Sequence, residues 1–435
     1  MKYDTDYFES NRDSICQQCS PLLNRPRQEA FEVFRKNGFP AYGSEDYQHT
    51  DIENLLKINV GIRQRLTQQQ AVRYMVSDRG MHPEPFHQDY LINGYAYKDA
   101  SSRPLPEGIF SGGLNDFAEK YPDVFSAYYN RQAKQHGGGL SAFNTMFVRD
   151  GYVLYVPENK RSDAIIQLTH LVEAEEDAMV ISRLLIILEK GAEARIAVYD
   201  RCPAEKAKSV TVQVSEIYAG ENASLEFYHV EESAARSTLI TDNFIRQERY
   251  SNVKLNTLSL ENGITRNNYR VGLDGEYAEH ILKGLVIADK EQHVDNHTVI
   301  NHNVPHCHSD ELFKYLLSEK SMGAFSGKIN VAEDAQKTMA YQNHRNLLDG
   351  PDCRVFSKPQ LEIYADDVKC SHGMTTGQMD ETVLLYMRAR GISEKEARMM
   401  LRVAFAGEII EGIGDESLRE NLRRWVENRL RTQND

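Results

Sequence analysis

The feature that most constrains the fold of this chain is a two-residue alternation of apolar and polar side chains in its middle part. Residues 210–214, 225–229 and 253–255 all show it within short stretches. Side chains of a β-strand point alternately to its two faces, so this period predicts strands with one face on a core. The strands are short, numerous and closely spaced, and we therefore expect a mainly β region here.

A weak internal repeat accompanies these strands. The pattern G-x-x-A begins at Gly191, Gly220 and Gly275, each time between two apolar stretches, with gaps of 29 and 55 residues. Because 55 is close to two repeats, the spacing favours stacked coils, as in a β-helix. Each coil would turn at its glycine, where a positive φ costs little. A β-sandwich with ordinary turns explains the same alternation, and periodicity alone does not separate the two folds.

Helical periodicity on both sides of the strands divides the chain into three regions. Residues 1–135 form a mostly helical N-terminal region, with helices predicted over 26–37 and 114–129. The run His-Gly-Gly-Gly at 136–139 marks a boundary, and the β core extends from 136 to 377. Residues 378–435 form a C-terminal helical region. One helix is predicted over 380–390, a second begins at the capping box of Ser393 and Glu396, and a third lies around 418–430.

Charge and length limit the class of protein. The chain has 435 residues and a net charge of −13, which argues against a protein that coats nucleic acid. No apolar run approaches the ~18 residues of a membrane span. Residues 1–6 lack the apolar core of a signal peptide. We therefore expect a cytoplasmic protein, whose six cysteines are thiols, metal ligands or buried small side chains.

Histidines concentrate in one segment, which is the first candidate for metal binding. His293, Asp295 and His297 alternate and would share one face of a strand, an arrangement that can hold a metal ion. The segment continues with His302, His306, Cys307 and His308. Hydrogen-bonded ladders of polar side chains explain this composition better, because the spacing matches no usual zinc set. Cys16-x-x-Cys19 is half of a zinc motif without a second pair, so a structural role is favoured there too.

A Cys-x-His pair is the second candidate. Cys370 and His372 are two residues apart, so on a strand they would point to the same side. A thiolate and an imidazole together suit iron, zinc or persulfide chemistry. A buried cysteine beside a hydrogen-bonded histidine is the structural alternative. The sequence has no G-x-x-x-x-G-K-[ST] phosphate loop, so the chain should not hydrolyse ATP by that route.

Residues 309–392 resemble the SufB/SufD family of iron–sulfur cluster assembly proteins. The longest matching run is residues 358–373, from Lys-Pro-Gln-Leu to Cys-Ser-His-Gly. Shorter runs match at 309–314, 325–329, 335–338, 346–348 and 388–392, and weaker likeness extends to 43–50, 143–145 and 150–157. Tyr47 stands where the family usually has Trp. The chain is most similar to the SufD branch, because Gly373 follows His372 where SufB-type chains usually carry Glu.

The resemblance implies a right-handed parallel β-helix flanked by N-terminal and C-terminal helical regions. It also implies a scaffold subunit and not an enzyme. Such a subunit pairs with a SufB-like paralogue and binds a SufC-like ABC-type ATPase, which hydrolyses the ATP. Clusters are expected to assemble at the interface with the paralogue, near Cys370 and His372, with His372 as a transient iron ligand. No cofactor is expected to stay bound, while a transient Fe–S cluster and a reduced flavin fit the complex.

The resemblance places the ATPase on the C-terminal helices. Tyr386, Arg390, Met399 and Phe405 are the residues at which we expect that contact, although packing against the end of the β-helix explains the apolar stripe equally well. The isolated chain could also form a homodimer through the β-helix edge that otherwise meets SufB. Neither nucleic acid nor a membrane is an expected partner.

Two functions of other classes stay open from the residues alone. A β-helix enzyme acting on carbohydrate would normally be secreted, and it would need a base with Ca²⁺-binding acids along one sheet. A stand-alone metal chaperone would use Cys16, Cys19 and the histidine segment, and it would hold metal as an isolated chain.

Overall fold

The computed structural model describes residues 5–57, 65–78, 87–173, 175–203 and 206–432. Residues 1–4, on which part of the signal-peptide prediction depends, lie outside this set. The helices are α1 (Thr5–Cys16), α2 (Pro21–Asn24), α3 (Arg27–Asn37), α4 (Ile52–Leu55), α5 (Gln68–Asp78), α6 (Leu114–Lys120), α7 (Pro122–Tyr128), α8 (Arg131–His136), α9 (Gly139–Phe147), α10 (Glu381–Ala389), α11 (Glu394–Ile410) and α12 (Glu416–Thr432), with a 3-10 helix at Glu45–Tyr47.

The strands form two sheets, which we call sheet A and sheet B. Sheet A has the order β19-β17-β15-β13-β11-β9-β7-β5-β1-β2, and sheet B has the order β18-β16-β14-β12-β10-β8-β6-β4-β3. Their bounds are β1 (His87–Ile92), β2 (Tyr95–Lys98), β3 (Phe110–Gly113), β4 (Tyr152–Val156), β5 (Arg161–Leu171), β6 (Ala178–Leu188), β7 (Glu193–Cys202), β8 (Ser209–Ala219), β9 (Ser224–Ser233), β10 (Ser237–Gln247), β11 (Asn252–Glu261), β12 (Ile264–Leu273), β13 (Glu279–Ala288), β14 (His293–His302), β15 (His308–Ser318), β16 (Met322–Val331), β17 (Met339–Asp349), β18 (Arg354–Ile363) and β19 (Lys369–Gln378).

Strands from β4 onward alternate between the two sheets, and every pair among them is parallel. Each coil therefore gives one strand to each sheet, and the fold is a parallel β-solenoid of about 7 turns with helices at both ends of the sequence. The predicted β-helix is confirmed and the sandwich is excluded, because sandwich sheets pair antiparallel strands. Antiparallel pairing is confined to β1–β2 and β3–β4 among the described strands.

The turns of the solenoid differ from the prediction. One edge carries a stack of turn residues with positive φ, namely Asn159, Gly191, Asn222, Tyr250, Tyr277, His306 and Lys337. Gly191 belongs to this stack, but Gly220 and Gly275 lie two residues before the positive-φ position of their coils. A Cβ on Gly275 would lie 1.9 Å from the backbone nitrogen of Arg249. That glycine is therefore required for the close approach of two coils and not for its own φ.

Three apolar layers hold the molecule together. The first fills the solenoid between the sheets. The second lies on the outer face of sheet B, where Phe143 of α9 packs in one cluster with Val212 of β8. The third lies on the outer face of sheet A, where Leu422 of α12 packs with Leu285 of β13. Because helices cover its outer face, β8 is buried at every position, and Val212 of the predicted alternation packs against α9 and not into the solenoid interior.

The N-terminal region contains β1, β2 and β3 besides its helices, which the sequence analysis did not predict. β1 pairs with β5, so the region that was expected to be mostly helical begins the solenoid itself. The helix predicted over 114–129 is two helices, α6 and α7, because Pro122 lacks a backbone N–H and starts a new helix. The helix predicted over 26–37 is present as α3.

Candidate functional site

The last coil of the solenoid, formed by β18 and β19, is open on one side. β18 pairs with β16 and β19 with β17, and each is the final strand of its sheet. Most residues of both strands are exposed or half-buried, whereas β8 is buried at every position. The outer edges of these two strands therefore present unpaired backbone groups and apolar side chains, among them Phe356, Ile363 and Met374.

Cys370 and His372 lie on β19 and continue two columns of side chains from the solenoid interior. Ala340 and Gln342 of β17 are their partners in register, and both of these are fully buried. Cys370 is half-buried and packs against the interior cluster, and burial raises the pKa of its thiol. His372 is exposed because no coil follows it. The pair shares one face of a strand, as the spacing predicted; binding of iron by His372 stays a prediction.

The number of ligands limits what this pair can do alone. The described residues contain no group of three or more His, Cys, Asp and Glu side chains that could hold a metal ion. Zinc and iron sites of proteins usually take four ligands, so a thiol and an imidazole leave at least two positions for other donors. An imidazole and a thiol at an open edge can form half of a site that a second molecule completes.

The histidine segment on β14 does not form a metal site. Thr50 donates a hydrogen bond to Asp295 at 2.6 Å and lies 3.1 Å from Nε2 of His293, while Arg266 pairs with Asp295 at 2.7 Å. The guanidinium occupies the position that a cation would need. Burial lowers the pKa of His297 to about 4, so its imidazole is neutral. Hydrogen bonds of His293 and Asp295 with Thr50 of the N-terminal region explain why polar side chains occur at the start of this segment.

The Cys16-x-x-Cys19 pair also has a structural role. The Cys19 thiol lies 3.4 Å from the carbonyl oxygen of Arg149 and 3.5 Å from that of Ile15, which ties the end of α1 to the start of the solenoid. Burial raises the pKa of this thiol. Cys307 lies in the solenoid interior. The described residues hold no group of three potential ligands that a stand-alone metal chaperone could use.

A cavity of about 670 Å³ lies beside the open coil. It is lined by residues of the 3-10 helix, by the residues just after that helix and by β18, and it extends to Met374 on the same face of β19 as His372. His49 stacks on Phe356 with ring centroids 4.2 Å apart, and Lys358 pairs with Glu45 at 2.8 Å. Sequence reasoning missed this cavity, because nothing local joins residues 43–50 to residue 358.

The four residues expected to bind the ATPase divide into two pairs. Tyr386 on α10 is 59% exposed, and the adjoining Arg390 donates a hydrogen bond to its hydroxyl at 2.6 Å. Met399 and Phe405 on α11 are half-buried and pack against the solenoid, and the Lys314 ammonium lies 4.3 Å from the centre of the Phe405 ring. This packing favours the structural alternative for Met399 and Phe405.

The exposed apolar surface of the C-terminal region is formed by other residues. Leu385 is 65% and Met400 is 49% exposed, and Val383 adds to them. Asp380 caps α10 by accepting the N–H of Thr382 at 2.8 Å. Helical periodicity predicts an apolar stripe on α11, but it does not show that Met400 is exposed while Phe405 packs against the solenoid.

One acidic residue connects these helices to the open coil. Asp349 at the end of β17 accepts a hydrogen bond from Nε of Arg402 at 2.8 Å and pairs with Arg398 at 3.2 Å. Both arginines belong to α11, and β17 is the strand that pairs with β19. A displacement of α11 would therefore act directly on the neighbour of the strand that carries His372.

Fold and site together define a β-solenoid protein that leaves a coil with potential metal ligands open at one end. Residues 170–405 match the family model for the SufBD core domain of SUF system FeS cluster assembly, and residues 1–168 match the model for the SufBD N-terminal region. The chain belongs to the SufBD family of iron–sulfur cluster assembly proteins. These models meet near residue 169, inside β5, whereas the sequence analysis divided the chain at 135 and 377.

Several named proteins are similar to this chain. An iron–sulfur cluster assembly SufBD family protein of Synechocystis is 30% identical over 420 residues, which cover 94% of this chain and 91% of that protein. The iron–sulfur cluster assembly protein SufD of Escherichia coli is 40% identical over 171 residues, 39% of this chain and 40% of that protein. The chloroplastic protein ABCI7 of Arabidopsis thaliana is 27% identical and covers 97% of this chain and 90% of its own length. Among the described helices, none has the length and apolarity that a membrane span requires.

Proposed function

We propose that this chain is a non-ATPase scaffold subunit of the SufD type. It pairs through its open coil with a SufB-like paralogue and carries a SufC-like ABC-type ATPase on its C-terminal helices. The observation that carries the proposal is the open coil itself, because it brings two unpaired strand edges, apolar side chains and the Cys370–His372 pair to one end of the molecule. The name of the Escherichia coli relative, SufD, agrees with the branch.

The chemistry of the open coil suits a cargo that must be released. A neutral imidazole is a weaker ligand for iron than a thiolate, so His372 can hold iron for a time and then give it up. The raised pKa of the Cys370 thiol keeps this side chain protonated until a metal or a cation lowers that pKa. The paralogue supplies the remaining ligands. A reduced flavin in the complex and a cytoplasmic location both stay predictions. The plant relative ABCI7 is named as a chloroplastic protein.

The exposed apolar residues of α10 and α11 support an ATPase contact. Val383, Leu385, Tyr386 and Met400 are exposed large apolar side chains on two consecutive helices, and such patches often mark binding surfaces. Movement of the bound ATPase would reach β17 through Asp349. This gives a physical route by which ATP hydrolysis in a partner could open or close the cluster site.

Co-purification of the tagged chain with separately expressed SufB-like and SufC-like proteins tests the partners. We expect both to be recovered, and Leu385→Glu to lose the ATPase while it keeps the paralogue. Arg424→Glu on the exposed side of α12 is the matched control and should keep both. Deletion of the whole region after residue 377 is a poor test, because it would uncover the apolar layer on sheet A. Recovery of homodimers alone would contradict the proposal.

Substitution of His372 tests the role of the open coil. We expect His372→Ala to fold and to assemble normally, but to lower the Fe–S cluster output of the purified complex at least tenfold. His306→Ala is the control, because His306 is an exposed histidine on a turn away from the open coil. Normal output from an intact complex that contains His372→Ala would remove this residue from the mechanism.

A further inference from the structure

One column of side chains inside the solenoid leads from the buried coils to His372. In successive strands of sheet A the residues in register are Leu282, Glu311, Gln342 and His372. Neighbouring strands lie about 4.8 Å apart, so side chains of one column can touch each other. Polar side chains in such a column are unusual, because burial of an unpaired polar group costs about 1–3 kcal/mol.

The first polar contact of the column fixes the orientation of an amide. Nε2 of Gln342 donates a hydrogen bond to Oε2 of Glu311 at 2.6 Å, and both residues are fully buried. An ionised carboxylate can only accept hydrogen bonds, so above the pKa of about 7 to which burial raises Glu311 the NH₂ group of Gln342 faces it. The backbone leaves room for this amide only because residue 327 is glycine; a Cβ there would lie 2.3 Å from Nε2 of Gln342.

The opposite atom of the same amide is without a partner. Oε1 of Gln342 is buried and accepts no hydrogen bond from any described residue. The next position in its column is His372, whose ring is exposed and free to rotate. A neutral imidazole offers one N–H and one lone pair, which is the complement that an orphaned carbonyl oxygen requires.

We propose that Gln342 is a positioning residue for His372. Oε1 of Gln342 accepts the N–H of one ring nitrogen of His372, and this hydrogen bond turns the lone pair of the other ring nitrogen toward the open end of the solenoid. Glu311 supports this role by holding the amide in one orientation. The inference rests on the proposed function only where the free ring nitrogen of His372 is said to bind iron. The hydrogen bond between Gln342 and His372 concerns the isolated chain alone. Metal-binding histidines commonly have their second nitrogen held in this way, and loss of the holding group commonly costs ten- to hundredfold in metal affinity or activity.

The tautomer of His372 in the isolated full-length chain is the direct measurement. Histidine ring nitrogens labelled with ¹⁵N report which nitrogen carries the proton, and His372→Asn identifies the signals of this residue. Burial raises the pKa of Glu311 to about 7, so at pH 8 this carboxyl group is ionised, and we expect one tautomer of His372 to dominate. Gln342→Met keeps the side-chain volume but removes the acceptor, and it should return the tautomers to the ratio of free histidine.

Two further variants separate positioning from packing. Glu311→Gln keeps the shape of the column but lets the amide of Gln342 turn over, so we expect a shift of the tautomer ratio part of the way. Gln360→Met on the neighbouring strand β18 is the matched control and should leave the ratio unchanged. A ratio that is the same in the native chain, Gln342→Met and Glu311→Gln would overturn the inference, whatever their stability.

Cluster output then distinguishes this inference from the proposed function. We expect Gln342→Met to lower the output of the assembled complex about ten- to hundredfold while His372 is still present. If His372→Ala lowers output but Gln342→Met changes neither the tautomer nor the output, the positioning role fails alone. If Gln342→Met changes the tautomer and His372→Ala leaves the output normal, the role of His372 in assembly fails while its positioning stands.

Discussion

The early and the last coils of the solenoid differ in how they are covered. β8 has strands on both sides, sheet A beneath it and α8 and α9 above it, and each of its residues is buried. β19 has one neighbouring strand, and most of its residues are exposed. Both are parallel strands of similar length in the same fold. The difference teaches that a strand of this solenoid belongs to the core where neighbouring coils and covering helices both bury it, and to the surface where they are missing.

Two ion pairs in these parts of the solenoid differ in their exposure. In the covered part Arg183 and Glu216 form a fully buried ion pair at 2.7 Å, and Glu216 also accepts the backbone N–H groups of Asn130 and Gln132 at 2.7 and 2.9 Å. Near the open coil Lys337 and Asp367 form an exposed pair. A buried pair joins separate parts of the chain, whereas an exposed pair leaves the strands available for a partner.

The largest expected difference concerns a lysine introduced into each end. Val214→Lys in β8 would bury a charge without a partner, and we expect a protein that is unfolded or insoluble. Met374→Lys in β19, where Met374 is 51% exposed, should fold normally but lose co-purification with the paralogue. Circular dichroism and the co-purification assay together measure both effects. Equal stability of the two variants would contradict the comparison.

Removal of one partner from the buried ion pair should have the next largest effect. Glu216→Ala leaves the Arg183 guanidinium without its carboxylate in a site with no access to water. We expect the free energy of unfolding to fall by about 3–5 kcal/mol. Urea denaturation measures it, and Glu216→Gln should recover part of the loss because its amide oxygen can still accept the N–H groups of α8.

A buried acid in the covered coils should make stability depend on pH. Burial raises the pKa of Glu231 to about 7 from an ordinary value of 4.5, although Thr265 donates a hydrogen bond to it. The folded chain therefore binds this proton more tightly than the unfolded chain does. Through this group, the free energy of unfolding of the protein decreases as the pH rises from about 4.5 to 7.

Glu231→Gln removes that contribution because glutamine does not ionise. We expect the variant to gain stability relative to the native chain as pH rises through this window, by up to about 3 kcal/mol, and the gain to be constant above it. Urea denaturation at several pH values measures the gain. A difference between the two proteins that does not change with pH would refute the assignment.

The smallest effect is expected at the exposed pair. Asp367→Ala removes the carboxylate beside Lys337, but the side chains are 65% and 57% exposed and water replaces the contact. We expect a change of at most about 1 kcal/mol in the free energy of unfolding, and less in high salt. Asp367→Asn is the control for shape. A loss as large as that of Glu216→Ala would show that exposure does not separate the two ends.

Local patterns in the sequence predicted much of the fold. The alternation in residues 210–214 lies on β8, the helix over 26–37 is α3, and Ser393 accepts the N–H of Glu396 at the start of α11. These features depend on neighbours in sequence, since strand period, helix period and capping need only a few residues. The same holds for Cys370 and His372, which share a face because successive side chains of a strand point to opposite sides.

Other features depended on contacts that no local pattern carries. The repeat of glycines indicated coils, but the positive φ lies at Asn222 and Tyr277, because the geometry of stacked turns and not the glycine fixes it. The apolar stripe of α11 did not show that Phe405 faces Lys314 of the solenoid while Met400 faces outward.

The sequence alone determined that this protein is built from many strands between helical regions, because residue period is a property of neighbouring side chains. The expectation of short strands was wrong, since β5 to β19 each have 10 or 11 residues. Only the tertiary structure decided that β18 and β19 remain uncovered and that Gln342 lies beside His372. Those facts depend on which coil is the last and on the register between strands about 30 residues apart, and both follow from packing between distant parts of the chain.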